Sequence, residues 1–130
     1  MTDTTILIIE GRHAEIPSFA PELQKKGFTV EMAKSGSNAI SQLETVAPDL
    51  VVVNAASLRS SGVRICQSLR DKSDKLPIIL ILDKDATVAK DSADVILHLP
   101  FTVQKLANRI KPLLPGDGQE VLQAGPIRLD

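Results

Sequence analysis

The pattern of apolar and polar positions along this chain alternates between two periods. Short apolar, β-branched runs occupy residues 5–9, 50–53, 77–82 and 94–99, and a partly alternating run occupies residues 28–33. Such runs are typical of strands buried on both faces of a sheet. Between the runs, apolar residues recur at helical spacing. Five strands in alternation with helices predict an α/β fold whose parallel sheet is covered by helices on both faces.

Local signals predict where the helices begin and end. The first helical pattern starts at Ile16, but Pro21 has no N–H to donate, so we expect this helix to start late or to kink. Ser37 is the predicted N-cap of the second helix, which ends before Pro48. Thr102 is the predicted N-cap of the last helix.

Composition and charge narrow the class of protein. The chain has 130 residues, of which 43% are hydrophobic, and this suits one domain with one core. Its net charge of -1 provides no strong field for nucleic acid or an anionic membrane. The single cysteine, Cys66, lies on the inward stripe of the third helical pattern and is expected to be inert packing. Without a leader pattern or a membrane-spanning run, the expected location is the cytoplasm.

The third apolar run ends on a polar residue, Asn54. In open α/β sheets, ligand crevices lie at the carboxyl ends of the strands, so Asn54 is a candidate site residue. A carboxamide can form hydrogen bonds, but it cannot accept a phosphoryl group or bind a divalent cation as a carboxylate does.

Four segments, in order, resemble the receiver domain of two-component response regulators. They are residues 6–10 with their acidic end, residues 49–54 followed by Gly62, residues 76–80, and the Leu-Pro-Phe triplet at residues 99–101, which is similar to the Lys-Pro-Phe segment of the family. The resemblance covers residues 5–114, so residues 1–114 are predicted to form one receiver-like domain. It implies a flavodoxin-like (CheY-like), doubly wound, five-stranded parallel sheet of order 2-1-3-4-5.

The resemblance also shows which chemical groups of the family are missing. A typical receiver holds Mg²⁺ with two acidic residues after strand one and the phosphoacceptor aspartate that ends strand three. Glu10 retains one acidic position, Gly11 replaces the other, and Asn54 replaces the phosphoacceptor. We therefore expect weak or absent Mg²⁺ binding, no other cofactor, and Glu10 as the only metal-ligand candidate.

The remaining positions of the family's site are apolar in this chain. The hydroxyl that binds the phosphoryl group corresponds to Leu82, the lysine before Pro100 corresponds to Leu99, and the switch aromatic corresponds to Ile96. The resemblance thus implies a degenerate phosphoacceptor site with no catalytic residues. Leu82 and Leu99 are only 17 positions apart, so the helix between strands four and five is predicted to be short or missing. The dimer face that this helix helps to form in the family is then in doubt.

Each of these residues also has a structural interpretation. Asn54 could satisfy loop amides, and Glu10 could be a relic whose charge is solvated at a loop. Leu82 and Leu99 could extend the core or, alternatively, line an apolar ligand crevice. His98 would be an ordinary strand residue.

Residues 115–130 differ from the rest of the chain. They open with Pro-Gly-Asp-Gly, a linker signal, and residues 124–130 loosely resemble the first strand of the winged-helix effector in OmpR/PhoB-type regulators. We predict a linker followed by the start of a truncated C-terminal domain.

The leading functional hypothesis is a pseudo-receiver, a phosphorylation-independent regulatory domain of a transcriptional response regulator. It would act through contacts with other proteins, a homodimer being one option, and would reach DNA only through a C-terminal domain. A stand-alone adaptor domain and a small-ligand sensor are the alternatives. An enzyme is disfavoured because no Ser-His-acid set, Cys-His pair, phosphate loop or metal cluster is present in the sequence.

Overall fold

The fold is a five-stranded parallel sheet between two layers of helices. The computed structural model describes residues 4–11, 19–58, 62–73, 75–88 and 92–114. The strands are β1 (Thr5–Ile9), β2 (Thr29–Ala33), β3 (Leu50–Asn54), β4 (Ile78–Leu82) and β5 (Val95–His98); the helices are α1 (Ala20–Lys25), α2 (Gly36–Val46), α3 (Gly62–Lys72) and α4 (Val103–Ile110). All neighbouring strands are parallel, in the order β2-β1-β3-β4-β5. The predicted doubly wound architecture is confirmed.

Two hydrophobic clusters form on opposite faces of the sheet because successive side chains of a strand point to opposite sides. On the face covered by α2 and α3, the buried strand residues are Leu7, Ile9, Ala33, Val51, Val53, Ile78, Leu80 and Leu82. On the face covered by α1 and α4, they are Ile6, Ile8, Leu50, Val52, Ile79, Ile81 and Leu97. The central strands β1, β3 and β4 are thus buried on both faces, as their unbroken apolar runs predict.

The helix boundaries correct one prediction and confirm two. The N-cap of α2 is Ser35 rather than Ser37: the Ser35 backbone is extended, and its hydroxyl accepts a hydrogen bond from the Asn38 N–H at 3.1 Å. The helix α1 begins at Ala20 with Pro21 in its first turn, where a missing N–H costs no helical hydrogen bond. Residues 16–18, at the start of the predicted first helix, lie outside the described residues. Thr102 caps α4 as predicted.

The connection between β4 and β5 contains no α-helix in its described part, residues 83–88 and 92–94. This agrees with the prediction of a short or missing helix. Ala86 and Val88 pack against the α2–α3 cluster in its place. The His98 ring, expected to have no particular role, lies 2.8 Å through Nε2 from the Ala86 carbonyl oxygen and so joins this connection to β5.

Two further observations complete the outline. None of the described helices is both long and apolar enough to cross a bilayer. The predicted linker and domain fragment at residues 115–130 lie outside the described residues and stay predictions.

Candidate functional site

Glu10 and Asn54 meet at the carboxyl ends of β1 and β3. These strands are neighbours with Ile9 opposite Val53, so the next residue of each strand lies at the same edge of the sheet. The Asn54 Nδ2 amide donates to Glu10 Oε2 at 3.1 Å, and the Phe19 N–H donates to the same oxygen at 3.2 Å. Glu10 is buried, 9% exposed, so the expectation that it is a solvated loop charge is wrong. Its carboxylate joins β1, β3 and the start of α1.

The side chain of Asn54 is fully buried, with 0% exposure. Its Oδ1 atom has no hydrogen-bond partner among the residues that the structure describes. In the loop after β3, the backbone carbonyl of Asn54 accepts a hydrogen bond from the Ser57 hydroxyl at 2.7 Å. Within the described part of the chain, the Asn54 side chain therefore binds Glu10 and no loop amide.

Ser57 is a site residue that the sequence analysis missed. Its Oγ donates to the Asn54 carbonyl and accepts from the Gly11 N–H at 3.0 Å. The hydrogen bond from Ser57 to the Asn54 carbonyl spans only three residues, and serine hydroxyls commonly form such local bonds to the backbone. The hydrogen bond from Gly11 to Ser57 spans 46 residues and forms only in the folded protein. Ser57 also fills the space beside Gly11, because a Cβ atom at position 11 would lie 2.2 Å from the Ser57 carbonyl oxygen.

Leu82 and Leu99 do not share a crevice. The Leu99 N–H donates to the Leu82 carbonyl at 2.9 Å, so the two backbones are neighbours. Their side chains, however, belong to different clusters: Leu82 packs on the α2–α3 side and Leu99 on the α1–α4 side. Ile96, the position of the switch aromatic, packs half-buried on the α2–α3 side. The peptide bond between Leu99 and Pro100 is cis.

The segment after this bond contacts the start of α1. Phe101 stacks on Phe19 with ring centroids 5.2 Å apart, and the Phe19 N–H is the group that donates to Glu10. The stacked rings of Phe19 and Phe101 therefore pack beside the polar cluster, on the side of α1. Glu10, Gly11, Ser57 and Asn54 form one connected set, and the leucines extend the core beside it.

Other reactive groups are remote from this set. Cys66 is buried in α3, and burial raises the pKa of its thiol to about 11 because the thiolate would lose its hydration. At neutral pH the thiol is protonated, and the Cys66 side chain serves only to pack the core, as expected. Within the described part of the chain, no three His, Cys, Asp or Glu side chains are grouped so that they could hold a metal ion.

A doubly wound sheet of order β2-β1-β3-β4-β5 with a polar cluster at the ends of β1 and β3 is the arrangement expected of a receiver-type domain, whose site lies at the crevice where such sheets place ligands. The family model of the response regulator receiver domain matches residues 6–111. The chain belongs to this family.

Individual relatives agree with this assignment. The sensory transduction protein RegX3 of Mycolicibacterium smegmatis is 28% identical over 140 residues, which cover 98% of this chain and 61% of the relative. The response regulator MprA of Mycolicibacterium vanbaalenii is 30% identical over 122 residues, covering 87% and 53%. The chain spans between half and two thirds of the length of these relatives.

Solved structures show the same architecture. A response regulator receiver protein from Sinorhizobium medicae superposes with a TM-score of 0.70 at 26% identity, covering 85% of this chain and 94% of that one.

The Mg²⁺ ion that the family implies does not suit the residues present. Mg²⁺ takes oxygen ligands in near-ideal octahedral geometry and is normally held by carboxylates. Of the three acidic positions, only Glu10 carries a carboxylate, and its Oε2 atom already accepts two hydrogen bonds from the protein. Asn54 Oδ1 is a neutral oxygen and does not replace the missing charge.

Proposed function

We propose that this chain is the receiver module of a longer transcriptional response regulator, and that it regulates through protein contacts without phosphorylation at position 54 and without bound Mg²⁺. The observation that carries the proposal is the buried hydrogen bond between Asn54 and Glu10. It occupies the place where the family resemblance puts the phosphoacceptor and its metal.

The first support for the proposal is the chemistry of the Asn54 amide. A phosphoacceptor must attack phosphorus with an oxygen lone pair, and a carboxylate offers two such oxygens with a full negative charge. The amide of Asn54 is neutral, and its Nδ2–H donates to Glu10. It therefore offers neither the nucleophile nor the charge that would bind a cation beside it.

The packing around Gly11 supports the proposal independently. A second carboxylate would have to project from this position, but a Cβ atom there meets the Ser57 carbonyl at 2.2 Å. No contact of this length is tolerated, so the backbone after β3 would have to move. The loop is held in place by the two hydrogen bonds of the Ser57 hydroxyl.

The positions that would stabilise a transferred phosphoryl group are apolar. Phosphoryl transfer depends on cations and hydrogen-bond donors placed around the phosphoryl oxygens. Leu82 and Leu99 bring neither, and their side chains fill the two core clusters. Because these side chains lie on opposite faces of the sheet, the small-ligand sensor gains no support.

The longer regulator is supported by the relatives, which extend well beyond the matched region. The loose resemblance of residues 124–130 to a winged-helix strand fits a DNA-binding domain that follows. In such a protein the receiver module would contact other proteins, including a second copy of itself, and the following domain would contact DNA.

The test is a phosphorylation assay with the purified chain. We expect no change in intact mass after incubation with acetyl phosphate and Mg²⁺, whereas a receiver domain that retains its aspartate should gain one phosphoryl group under the same conditions. A stable, stoichiometric adduct on this chain would reject the proposal. The Asn54→Asp variant should also label poorly, because Leu82, Leu99 and Gly11 are unchanged; rapid labelling of that variant would show that position 54 alone decides the chemistry.

A further inference from the structure

The charge of this protein is distributed unevenly between its two helical layers. The chain carries a net charge of -1, yet residues 20–26 and 103–114 contain five cations and one carboxylate. The cations are Lys25, Lys26, Lys105, Arg109 and Lys111, all with exposed side chains, and together they are called the basic face. In α2 and α3, by contrast, three cations are accompanied by two carboxylates, which leaves a net charge of only +1.

The basic face extends over two helices, α1 and α4, which are joined by a hydrogen bond. The Lys26 ammonium donates to Gln104 Oε1 at 2.7 Å and so joins the end of α1 to α4. Gln104 in turn donates to Asn108 Oδ1 at 3.1 Å. Lys105 and Arg109 are four residues apart in α4 and project from the same side. The single carboxylate, Glu22, pairs with Lys25 at 3.6 Å.

Folding alone does not account for this arrangement. Cations in the last turn of a helix interact favourably with its dipole, which explains Lys25 and Arg109. Lys105, however, is in the first turn of α4, where the dipole disfavours a cation and where no acidic residue balances it. Lys105 and Arg109 also repel each other at this spacing. At Lys105, positive charge is therefore present against the local preference of the helix.

The chemistry of the basic face selects its partner. A second copy packed by a two-fold axis would bring the same cations together, which is repulsive. Among the described residues, the only exposed large apolar side chain is Met32, in β2, so the basic face offers no apolar anchor of the kind that stabilises protein interfaces. Cations with neighbouring amides and no apolar anchor suit the phosphates of a nucleic acid, which require charge and hydrogen bonds but no pocket.

We propose that the basic face contacts the phosphate backbone of duplex DNA, next to the site bound by the domain that follows. This inference rests on the part of the proposed function that makes the chain one module of a DNA-binding regulator. The helix α4 and Lys111 lead directly into the segment toward that domain. DNA held by the attached domain would be at high effective concentration near the basic face, so a modest electrostatic contact is sufficient.

The test measures the salt dependence of DNA binding by the 130-residue chain. The probe is a fluorescein-labelled, random-sequence duplex of about 20 base pairs, followed by fluorescence anisotropy from low to physiological salt. We expect binding at low salt, with a slope of log K against log salt steeper than about −2, because each neutralised phosphate contributes about −0.9. The variant Lys25→Gln, Lys26→Gln, Lys105→Gln, Arg109→Gln should bind at least about tenfold more weakly, with a slope shallower than about −1.

A matched control removes the same charge elsewhere. The variant Lys34→Gln, Lys72→Gln, Lys75→Gln, Lys84→Gln has the same net charge and loses only exposed lysines outside the basic face, so its affinity and slope should stay near those of the wild type. Equal loss in both variants, or no binding by the wild type at low salt, would overturn the inference. So would competition by polyglutamate as strong as that by unlabelled duplex, because the partner would then be an acidic protein surface. None of these results bears on the phosphorylation assay, so the two proposals can fail separately.

Discussion

The hydrogen bond between Asn54 Nδ2 and Glu10 Oε2 joins a neutral amide to a carboxylate, and both side chains are buried. A hydrogen bond to a charged group contributes about 1.5–3 kcal/mol to stability. Asn54 Oδ1, which has no partner among the described residues, opposes this gain, since a buried polar atom without a partner costs about 1–3 kcal/mol. Because the two contributions are of similar size, the pair adds little to overall stability. Its main effect is to hold the ends of β1 and β3 in one arrangement.

The substitution Asn54→Asp tests this balance. It replaces the donor with a second carboxylate about 3 Å from Glu10, so the variant should lose about 2–4 kcal/mol of unfolding free energy at pH 7. Repulsion between two carboxylates at this distance opposes folding of the variant. Its deficit relative to the wild type should therefore shrink when the carboxyl groups are neutralised in acid. Urea unfolding at several pH values measures this.

The control for this variant is Asn108→Asp, the same chemical change at an exposed position of α4. It should alter the unfolding free energy by no more than about 0.5 kcal/mol at any of these pH values. If Asn54→Asp behaves like Asn108→Asp, the contact with Glu10 is not energetically significant.

At the scale of an element, the start of α2 shows how a cap is chosen. The segment at residues 35–37 is Ser-Gly-Ser, and either serine could supply the capping oxygen. Ser35 does so because its backbone, at φ −158 and ψ 168, continues the extended conformation of β2 directly into the helix. Ser37 is already inside the first turn with an exposed side chain.

The two serines provide their own matched comparison. Ser35→Ala should lower the unfolding free energy by about 0.5–2 kcal/mol, because the Asn38 N–H loses its acceptor. Ser37→Ala should change it by less than about 0.5 kcal/mol. Urea denaturation of both variants gives the difference, and a larger loss for Ser37→Ala would return the cap to the position that the sequence predicted.

At the scale of the whole molecule, Cys66 reports on the integrity of the core. Its thiol is buried in the cluster between α3 and the sheet, and burial raises its pKa from 9.0 to about 11. The folded protein therefore keeps a proton that the unfolded chain releases between these values. The stability linked to this proton is complete below pH 9 and is lost as pH rises toward 11.

Measurements of unfolding free energy from pH 8 to 11 should show this loss, which amounts to about 2–3 kcal/mol for such a shift. The Cys66→Ala variant will be less stable throughout because of the cavity it creates, but its pH profile should be flatter by this amount. Lysines contribute equally to both profiles, so the difference isolates the thiol. Parallel profiles would mean that Cys66 ionises in the fold as readily as in the unfolded chain.

The sequence by itself determined the architecture and the missing charges. Strands and helices follow from which positions are apolar along short stretches, and every strand lies within a residue or two of its predicted bounds. The amide at position 54 and the glycine at position 11 are also facts of the sequence, and the family resemblance alone implies that they replace two acidic residues. Local patterns carry this information because burial repeats with the period of each element.

Only the tertiary structure decided which groups meet. The bond from Asn54 to Glu10 spans 44 positions, the bond from Gly11 to Ser57 spans 46, and the bond from Lys26 to Gln104 spans 78. Parallel strands bring distant residues to one edge, and pleating sends Leu82 and Leu99 to opposite faces although their backbones touch. No periodicity along the chain encodes such pairs, since they depend on strand order, register and the path of loops between elements.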